Sequence, residues 1–182
     1  MKRSERLKYF MNFQQDGADT LKNLYNFFTS HSNTKYPNYQ KYFKEISGNI
    51  ASNPVIFIFD NELSDRDKPL YKFAKHANLL GEKAAISKRL QLNVKENLFL
   101  VTNPLIDNKE ESEIEDLFSE ELLETTLNGR KFSREKNYNT NTHYGKEKFS
   151  KYVSQNYKSI NFNKFKPILE VLSSIVDNYE RN

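Results

Sequence analysis

The run Val55-Ile-Phe-Ile-Phe59, with Asn53-Pro54 before it and Asp60-Asn61 after it, constrains this chain more than any other stretch. Five large apolar residues are too few for an isolated helix, and they are β-branched or aromatic and bounded by polar or Pro residues. That pattern predicts a buried central strand of the parallel kind. A second run of the same type, Asn97-Leu-Phe-Leu-Val-Thr102, stops at Asn103-Pro104. Between the two, Pro69 opens a segment that places Leu70, Phe73, Ala74 and Ala77 on one helical face and stops near Gly81. Strand, helix and strand in that order form a βαβ unit with a right-handed crossover, so the expected class is α/β.

Open α/β sheets collect ligands at the carboxyl ends of their strands. Asp60 and Glu62 leave the first strand at that end with i, i+2 spacing. Carboxylates so spaced can face one side and share a hard divalent cation such as Mg2+. The same residues also serve as ordinary strand terminators, and the residue pattern leaves both readings open.

Upstream, Leu7 to Phe13 alternates loosely as a short strand would, followed by a polar turn from Gln14 to Asp19 that carries Gly17. Leu21, Leu24, Tyr25 and Phe28 then recur at helical spacing behind an Asp19 cap, and so do Tyr39, Tyr42, Phe43 and Ile46 between Pro37 and Gly48. Aromatic residues at this spacing are expected in the core rather than stacked on bases. His76 is expected on a solvated helix surface, with no second ligand one turn away. Residues 82–96 suit either a short helix or an edge strand.

After the second strand, Ser112 and Glu115 form a capping-box pattern ahead of Ile114, Leu117, Phe118 and Leu122. Glu115 then has two possible roles: it bonds the helix start, or with Asp116 it projects to the strand ends beside Asp60. Asn128-Gly129 marks a tight turn. A polar loop, Arg134 to Thr142, is expected to be mobile and delivers His143-Tyr-Gly-Lys146 to a helix bearing Phe149, Tyr152 and Val153. A Gly before a helix with an adjacent Lys suits a phosphate contact. A final helix opens at Asn163, with Pro167 in its first turn and Phe165, Ile168, Leu169, Leu172, Ile175, Val176 and Tyr179 as its apolar stripe.

Composition narrows the classes. The 182 residues suit one domain, and the absence of cysteine excludes disulfides and thiolate metal sites and favours a cytoplasmic setting. No apolar run reaches the length of a membrane span, so no membrane partner is expected. There is no internal repeat, no Walker-type phosphate loop and no nucleophile elbow. The net charge of +4 is unevenly spread, with nine acids against one Lys from Asp107 to Glu124 and eleven Lys or Arg against five acids from Arg130 to Arg181. The basic third suits nucleic-acid phosphates, with Arg130, Lys131, His143, Lys146 and Lys148 as candidate contacts. A coding bias toward Lys and Asn accounts for the same excess.

Five stretches, in order, carry a resemblance: Val55-Ile-Phe-Ile-Phe-Asp-Asn-Glu62, Asn97-Leu-Phe-Leu-Val-Thr-Asn-Pro-Leu105, Ile114-Glu-Asp-Leu-Phe118, Tyr144-Gly-Lys-Glu-Lys-Phe149 and Ile160-Asn-Phe-Asn-Lys-Phe-Lys-Pro-Ile-Leu169. Together they resemble the toprim-like carboxyl-terminal domain of retron-type reverse transcriptases, over about residues 7 to 175. The resemblance implies a compact, mostly parallel sheet flanked by helices. It implies one toprim-like domain over residues 1–182 lacking its first strand, with a helical portion, residues 145–182, packed on it. It also implies Mg2+ or Mn2+, action on phosphodiester bonds, a role in phage defence, and a reverse transcriptase domain or subunit as partner. Toprim sites pair an Asp-x-Asp motif with an earlier Glu. Asp60 matches the first Asp of that motif, and Glu62 stands where the second would be. Glu115, Asp116 and Lys146 match later motifs, which implies Asp60, Glu62, Glu115 and Asp116 as metal ligands and Asp60, Glu62 and Lys146 as catalytic groups. Two elements depart from the family. No strand ending in a Glu-Gly-like motif precedes Asn53, where the nearest acids are Asp16 and Asp19, and the polymerase Tyr-x-Asp-Asp signature is missing. The expectation is either the tail of a longer protein or a separate relative that has lost the Glu. The alternative function is a catalytically incomplete module of the same fold that binds nucleic acid or protein.

Overall fold

A computed structural model describes residues 19–30, 38–49 and 51–180. The strand expected at Leu7–Phe13, the turn at Gly17 and the helix start at Pro37 lie outside the described residues. The chain divides into two compact units, Met1–Glu113 with Pro167–Asn182, and Ile114–Lys166.

The first unit contains helices α1 (Asp19–Thr29), α2 (Tyr39–Ser47), α3 (Pro69–His76) and α4 (Lys83–Arg89), and strands β1 (Val55–Phe59), β2 (Gln91–Lys95) and β3 (Leu98–Thr102). The sheet order is β1-β3-β2. β1 runs parallel to β3 from Val55↔Leu98 to Phe59↔Thr102, and β2 is antiparallel to β3. The class is therefore α/β with a mixed sheet. Among the described residues β3 is the central strand, and β1, expected to be central, lies at an edge. The ambiguous stretch 82–96 holds both candidates, since α4 is followed directly by the edge strand β2.

Strand alternation divides the sheet side chains between two faces. On one face Phe57, Phe59, Leu98 and Leu100 pack with Tyr25 of α1, Leu70 and Phe73 of α3 and Ile86 of α4. The Phe73 ring lies 5.3 Å from Phe57, 4.9 Å from Phe59 and 5.5 Å from Tyr25. On the other face lies the last helix, α7 (Lys166–Glu180), whose Pro167–Glu180 belongs to this unit; Ile175 is buried and Tyr179 sits edge-on to Phe99. α3 ends before the expected Gly81 because Asn78, at φ 60°, takes the left-handed position. The Leu79 N–H then bonds Ala74 O at 2.7 Å and the Asn78 N–H bonds Lys75 O at 3.3 Å, a Schellman closure.

The expectation for the aromatic face of α2 is corrected. Tyr39, Tyr42, Phe43 and Ile46 are 45%, 53%, 51% and 84% exposed. The residue this helix buries is Gln40, which donates to Asn97 Oδ1 at 2.7 Å. Periodicity located the helix, and a single buried amide decided which face turns inward. His76 is also less solvated than expected: it is half-buried, and its Nε2 pairs with Asn26 Oδ1 at 2.6 Å.

The second unit contains α5 (Glu120–Leu123), the short strands β4 (Lys131–Phe132) and β5 (His143–Tyr144), and α6 (Lys146–Asn156), after a 3-10 turn at Ile114–Leu117. Its core joins Phe118, Tyr144 and Phe149, with Phe132 stacked on Phe149 at 4.5 Å. Asn128 and Gly129 take φ values of 52° and 73°, and Leu127 and Arg130 exchange backbone hydrogen bonds, which makes the expected tight turn. Among the described residues no helix is long and apolar enough to cross a membrane.

Candidate functional site

In the first unit, β1 ends at Asp60, and the chain then makes a single antiparallel bridge from Asn61 to Ser112. The Asn61 N–H donates to Ser112 O at 2.8 Å, and the Ser112 N–H returns to Asn61 O at 3.0 Å. This bridge draws the acidic stretch 110–113 alongside residues 60–64. It also explains why the expected capping box is not made: Ser112 is held as a strand residue, and the nearby helix cap is instead Ser119, whose hydroxyl accepts the Leu122 N–H.

In the first unit one cation, Lys68, serves Glu62 and Glu113. Glu62 is buried, and its carboxylate is bonded by the Lys68 ammonium, which also lies 4.0 Å from Glu113. Burial raises the Glu62 pKa above its ordinary value; Lys68 pulls it back, and Glu113 and Asp60 push it up again. The bond to Glu62 raises the pKa of Lys68 in turn, against some desolvation. Lys68 is the N-cap of α3 and makes no side-chain cap bond there. A cation at a helix N-terminus opposes the helix dipole, so this placement is explained by the acids it serves and not by the helix.

Asp60 is held from β3. Its Oδ1 accepts from Asn103 Nδ2 at 2.8 Å, and Asn103 N–H bonds Phe59 O at 3.2 Å. Asn61 is fully buried and donates to Ser87 O and Asn103 O at 3.1 and 3.0 Å. The Oδ1 atoms of Asn61 and Asn103 are buried and accept no hydrogen bond from the protein. Nearby, the Ser64 hydroxyl donates to Glu111.

In the second unit, Glu115 and Asp116 stand on the 3-10 turn and are buried. Lys146 Nζ meets Glu115 Oε2 at 3.0 Å, and Arg134 Nη1 meets Asp116 Oδ1 at 2.9 Å. Lys146 is the first residue of α6, after Gly145 at the N-cap, where no side chain caps the helix. The Tyr138 ring lies against Gly145, so a Cβ there would stand 2.7 Å from Tyr138 Cε1. The β4–β5 register sets Lys131 beside His143, whose Nδ1 pairs with Thr142 Oγ1 at 2.8 Å. Lys131 and Lys148 are exposed, and Arg130 is half-buried at the tight turn. The loop expected to be mobile is organised by Asn139, whose carbonyl accepts the His143 N–H at 2.8 Å and whose side chain accepts the Asn141 N–H at 2.9 Å.

The sequence therefore located Asp60 and Glu62 but missed Lys68, Glu113 and Asn103. For Asn103 a signal existed: a parallel register pairing Phe59 with Thr102 puts the next residues, Asp60 and Asn103, side by side. Among the described residues no three His, Asp or Glu side chains are gathered as a metal-holding group. Mg2+ asks for less than that, since it is commonly held by one or two carboxylates, with water and substrate phosphate oxygens completing its shell. Asp60 and Glu62 fit it in donor chemistry: both offer hard oxygens, and Glu62 already binds a cation, the Lys68 ammonium. No family model and no solved structure matches the chain.

Proposed function

We propose that this chain is a toprim-like module of a retron-type reverse transcriptase or related cytoplasmic defence system, acting on phosphodiester bonds with Mg2+ or Mn2+. The observation that carries the reading is Glu62, a buried carboxylate with a raised pKa, with Asp60 and Glu113 acting on it at the carboxyl end of a strand in a parallel pair. Like charges brought together in a desolvated place cost stability, and such groups cluster where chemistry is done. In this reading Asp60 and Glu62 hold the ion. When bound, it polarises a phosphate oxygen and offsets developing negative charge. Asn103 fixes the Asp60 carboxylate through its 2.8 Å bond, and Lys68 is the cation bonded to Glu62. In the second unit, Lys146, Lys131, His143, Lys148 and Arg130 are the nucleic-acid contacts of this reading.

A second reading, a catalytically incomplete binding module, is favoured by one specific observation. Glu62, Glu115 and Asp116 each have a protein cation as partner, in Lys68, Lys146 and Arg134. A thermal melt with and without millimolar Mg2+ or Mn2+, on the native chain and on Asp60→Ala, separates the two. A metal-dependent rise in melting temperature that disappears in Asp60→Ala supports the metal site, because a ligand bound only to the folded state stabilises it. No rise in the native chain removes the catalytic reading and leaves the binding module.

A further inference from the structure

On the sheet face that carries α7, the exposed edge strand β2 contributes Gln91 and Asn93, and the register sets Asn93 opposite Phe99 of β3. α7 brings Tyr179 to the same place, its ring 6.3 Å from Phe99 at an interplanar angle of 89°. With Asn178 and Arg89 these side chains line a cavity of about 450 Å³. That is the size of a small-ligand site, where volumes run from about 300 to 1,000 Å³.

The lining has a definite chemistry. It offers two aromatic rings, three primary amides and one guanidinium. Aromatic rings give a surface on which a base stacks whatever its identity. Primary amides present a donor and an acceptor together, which is how side chains read the edge of a base. A guanidinium meets phosphate oxygens in a fixed fork. Arg89 makes no hydrogen bond or ion pair among the described residues, so its charge is available. The Tyr179 hydroxyl is used on Ala51 O, which fixes the ring, and burial raises its pKa, so the ring stays neutral. Glu96 adds to that rise, and Arg89 is the cation among the lining residues. A second copy of the chain adding a strand along β2 fits poorly, because the ladder is interrupted between Asn93 and Lys95.

We infer that this cavity takes one unpaired nucleobase, stacked on the Tyr179 ring with Phe99 set perpendicular to it, the amides at the base edge and Arg89 on an adjoining phosphate. The inference deepens the proposed function by naming a single strand as its ligand class. It rests on nucleic acid being the partner and does not depend on the metal site.

The test is fluorescence anisotropy of short labelled single-stranded DNA and RNA, and of the matching duplexes, in EDTA so that cleavage plays no part. A single strand should bind more tightly than its duplex. Tyr179→Leu should weaken binding about tenfold, as loss of one base stack does, and Tyr179→Phe should restore it. Arg89→Gln, at an exposed position, should weaken binding about threefold and lower its salt dependence. If Tyr179→Leu fails to fold, Arg89→Gln and the side-chain amide NMR signals of Asn93 and Asn178, which should shift as a single strand is added, decide instead. Binding that is absent, tighter for duplex, or unchanged in Arg89→Gln overturns the inference, as does a shift confined to other residues. The metal-dependent melt reads the acidic strand end, whereas this assay, run in EDTA, reads the cavity, so a failed metal site and a failed base pocket give different results.

Discussion

Acids are handled in two ways in the two units. At the end of β1, one ammonium, Lys68, serves Glu62 and lies within 4.0 Å of Glu113, with Asp60 also acting on Glu62. On the 3-10 turn of the second unit, Glu115 meets Lys146 from α6 and Asp116 meets Arg134 from the loop after β4. In the first arrangement burial raises the Glu62 pKa, with a smaller push from Glu113 and Asp60 against the pull of Lys68. The second ties a turn to the elements packed around it, which is what a structural pair does. The difference teaches that an acidic pair read from sequence has no fixed meaning. Glu62 is the acid whose burial raises its pKa, so the strand end it shares with Asp60 is the better candidate for chemistry.

The largest expected effect comes from removing the shared cation. Lys68→Met leaves Glu62 buried among carboxylates, and breaking a buried pair costs about 3–5 kcal/mol. Lys68 is 37% exposed, so water replaces part of its role and the expected loss at pH 7 is about 2–3 kcal/mol, read from urea midpoints. The loss should shrink as the pH is lowered, because Glu62, its pKa raised by burial, takes up a proton and no charge is left without a partner. The native chain carries the same sign. A carboxylate whose folded pKa is raised contributes stability below its ordinary value of 4.5 and loses that contribution as pH rises through the folded value. Glu62→Gln should therefore flatten the decline above pH 5 and lie within about 1 kcal/mol of native stability at pH 7, on the stable side if burial of the charge outweighs the Lys68 bond. A loss in Lys68→Met that does not vary with pH would break the comparison.

A smaller effect is expected in the second unit. Lys146→Met removes the cation from a buried Glu115, but Lys146 is itself 46% exposed, so about 1–2 kcal/mol is expected. Pairing it with Glu115→Gln should recover more than half of the loss, since the uncompensated charge goes with it. If the double variant is no more stable than the single one, the pair is not what holds the turn.

Much of this was legible in the sequence, and what was missed has a common cause. Val55–Phe59 and Leu98–Thr102 came out as strands at the expected residues, because a short β-branched and aromatic run with polar ends has few other uses. Gly48 and Pro69 marked helix ends through backbone geometry that depends on those residues alone. The orientation of α2 was not legible, because it turns on Gln40 reaching Asn97, fifty-seven residues away. Lys68 was hidden for a similar reason. It reads as the end of a polar run, and only the turn at Asp65, whose side chain accepts the Asp67 N–H at 2.9 Å and whose carbonyl accepts the Lys68 N–H at 3.2 Å, carries it back to Glu62. Glu113 was hidden because the bridge between Asn61 and Ser112 is a long-range pairing with no local signature. Local rules located elements and ends, whereas the partners of the site's acids depend on contacts between distant segments.

The smallest expected effect tests how firmly the second unit holds its lysine. Gly145 has φ −98° and ψ −175°, which alanine adopts without strain, so the glycine is not there for its backbone freedom. It is there because the Tyr138 ring comes so close that a Cβ would stand 2.7 Å from Cε1 and 2.8 Å from the hydroxyl. The atoms in the way are the far end of a side chain, which can swing aside. Gly145→Ala should therefore cost less than about 1 kcal/mol, partly offset by the lower entropy of the unfolded chain. Its signature should be local: the Tyr138 ring resonances move, while the coupling between Lys146 and Glu115, measured by a double-mutant cycle in the Gly145→Ala background, is unchanged. If that coupling falls as well, Tyr138 helps to place Lys146, and the second unit's ion pair depends on its loop as the first unit's acids depend on the turn at Asp65.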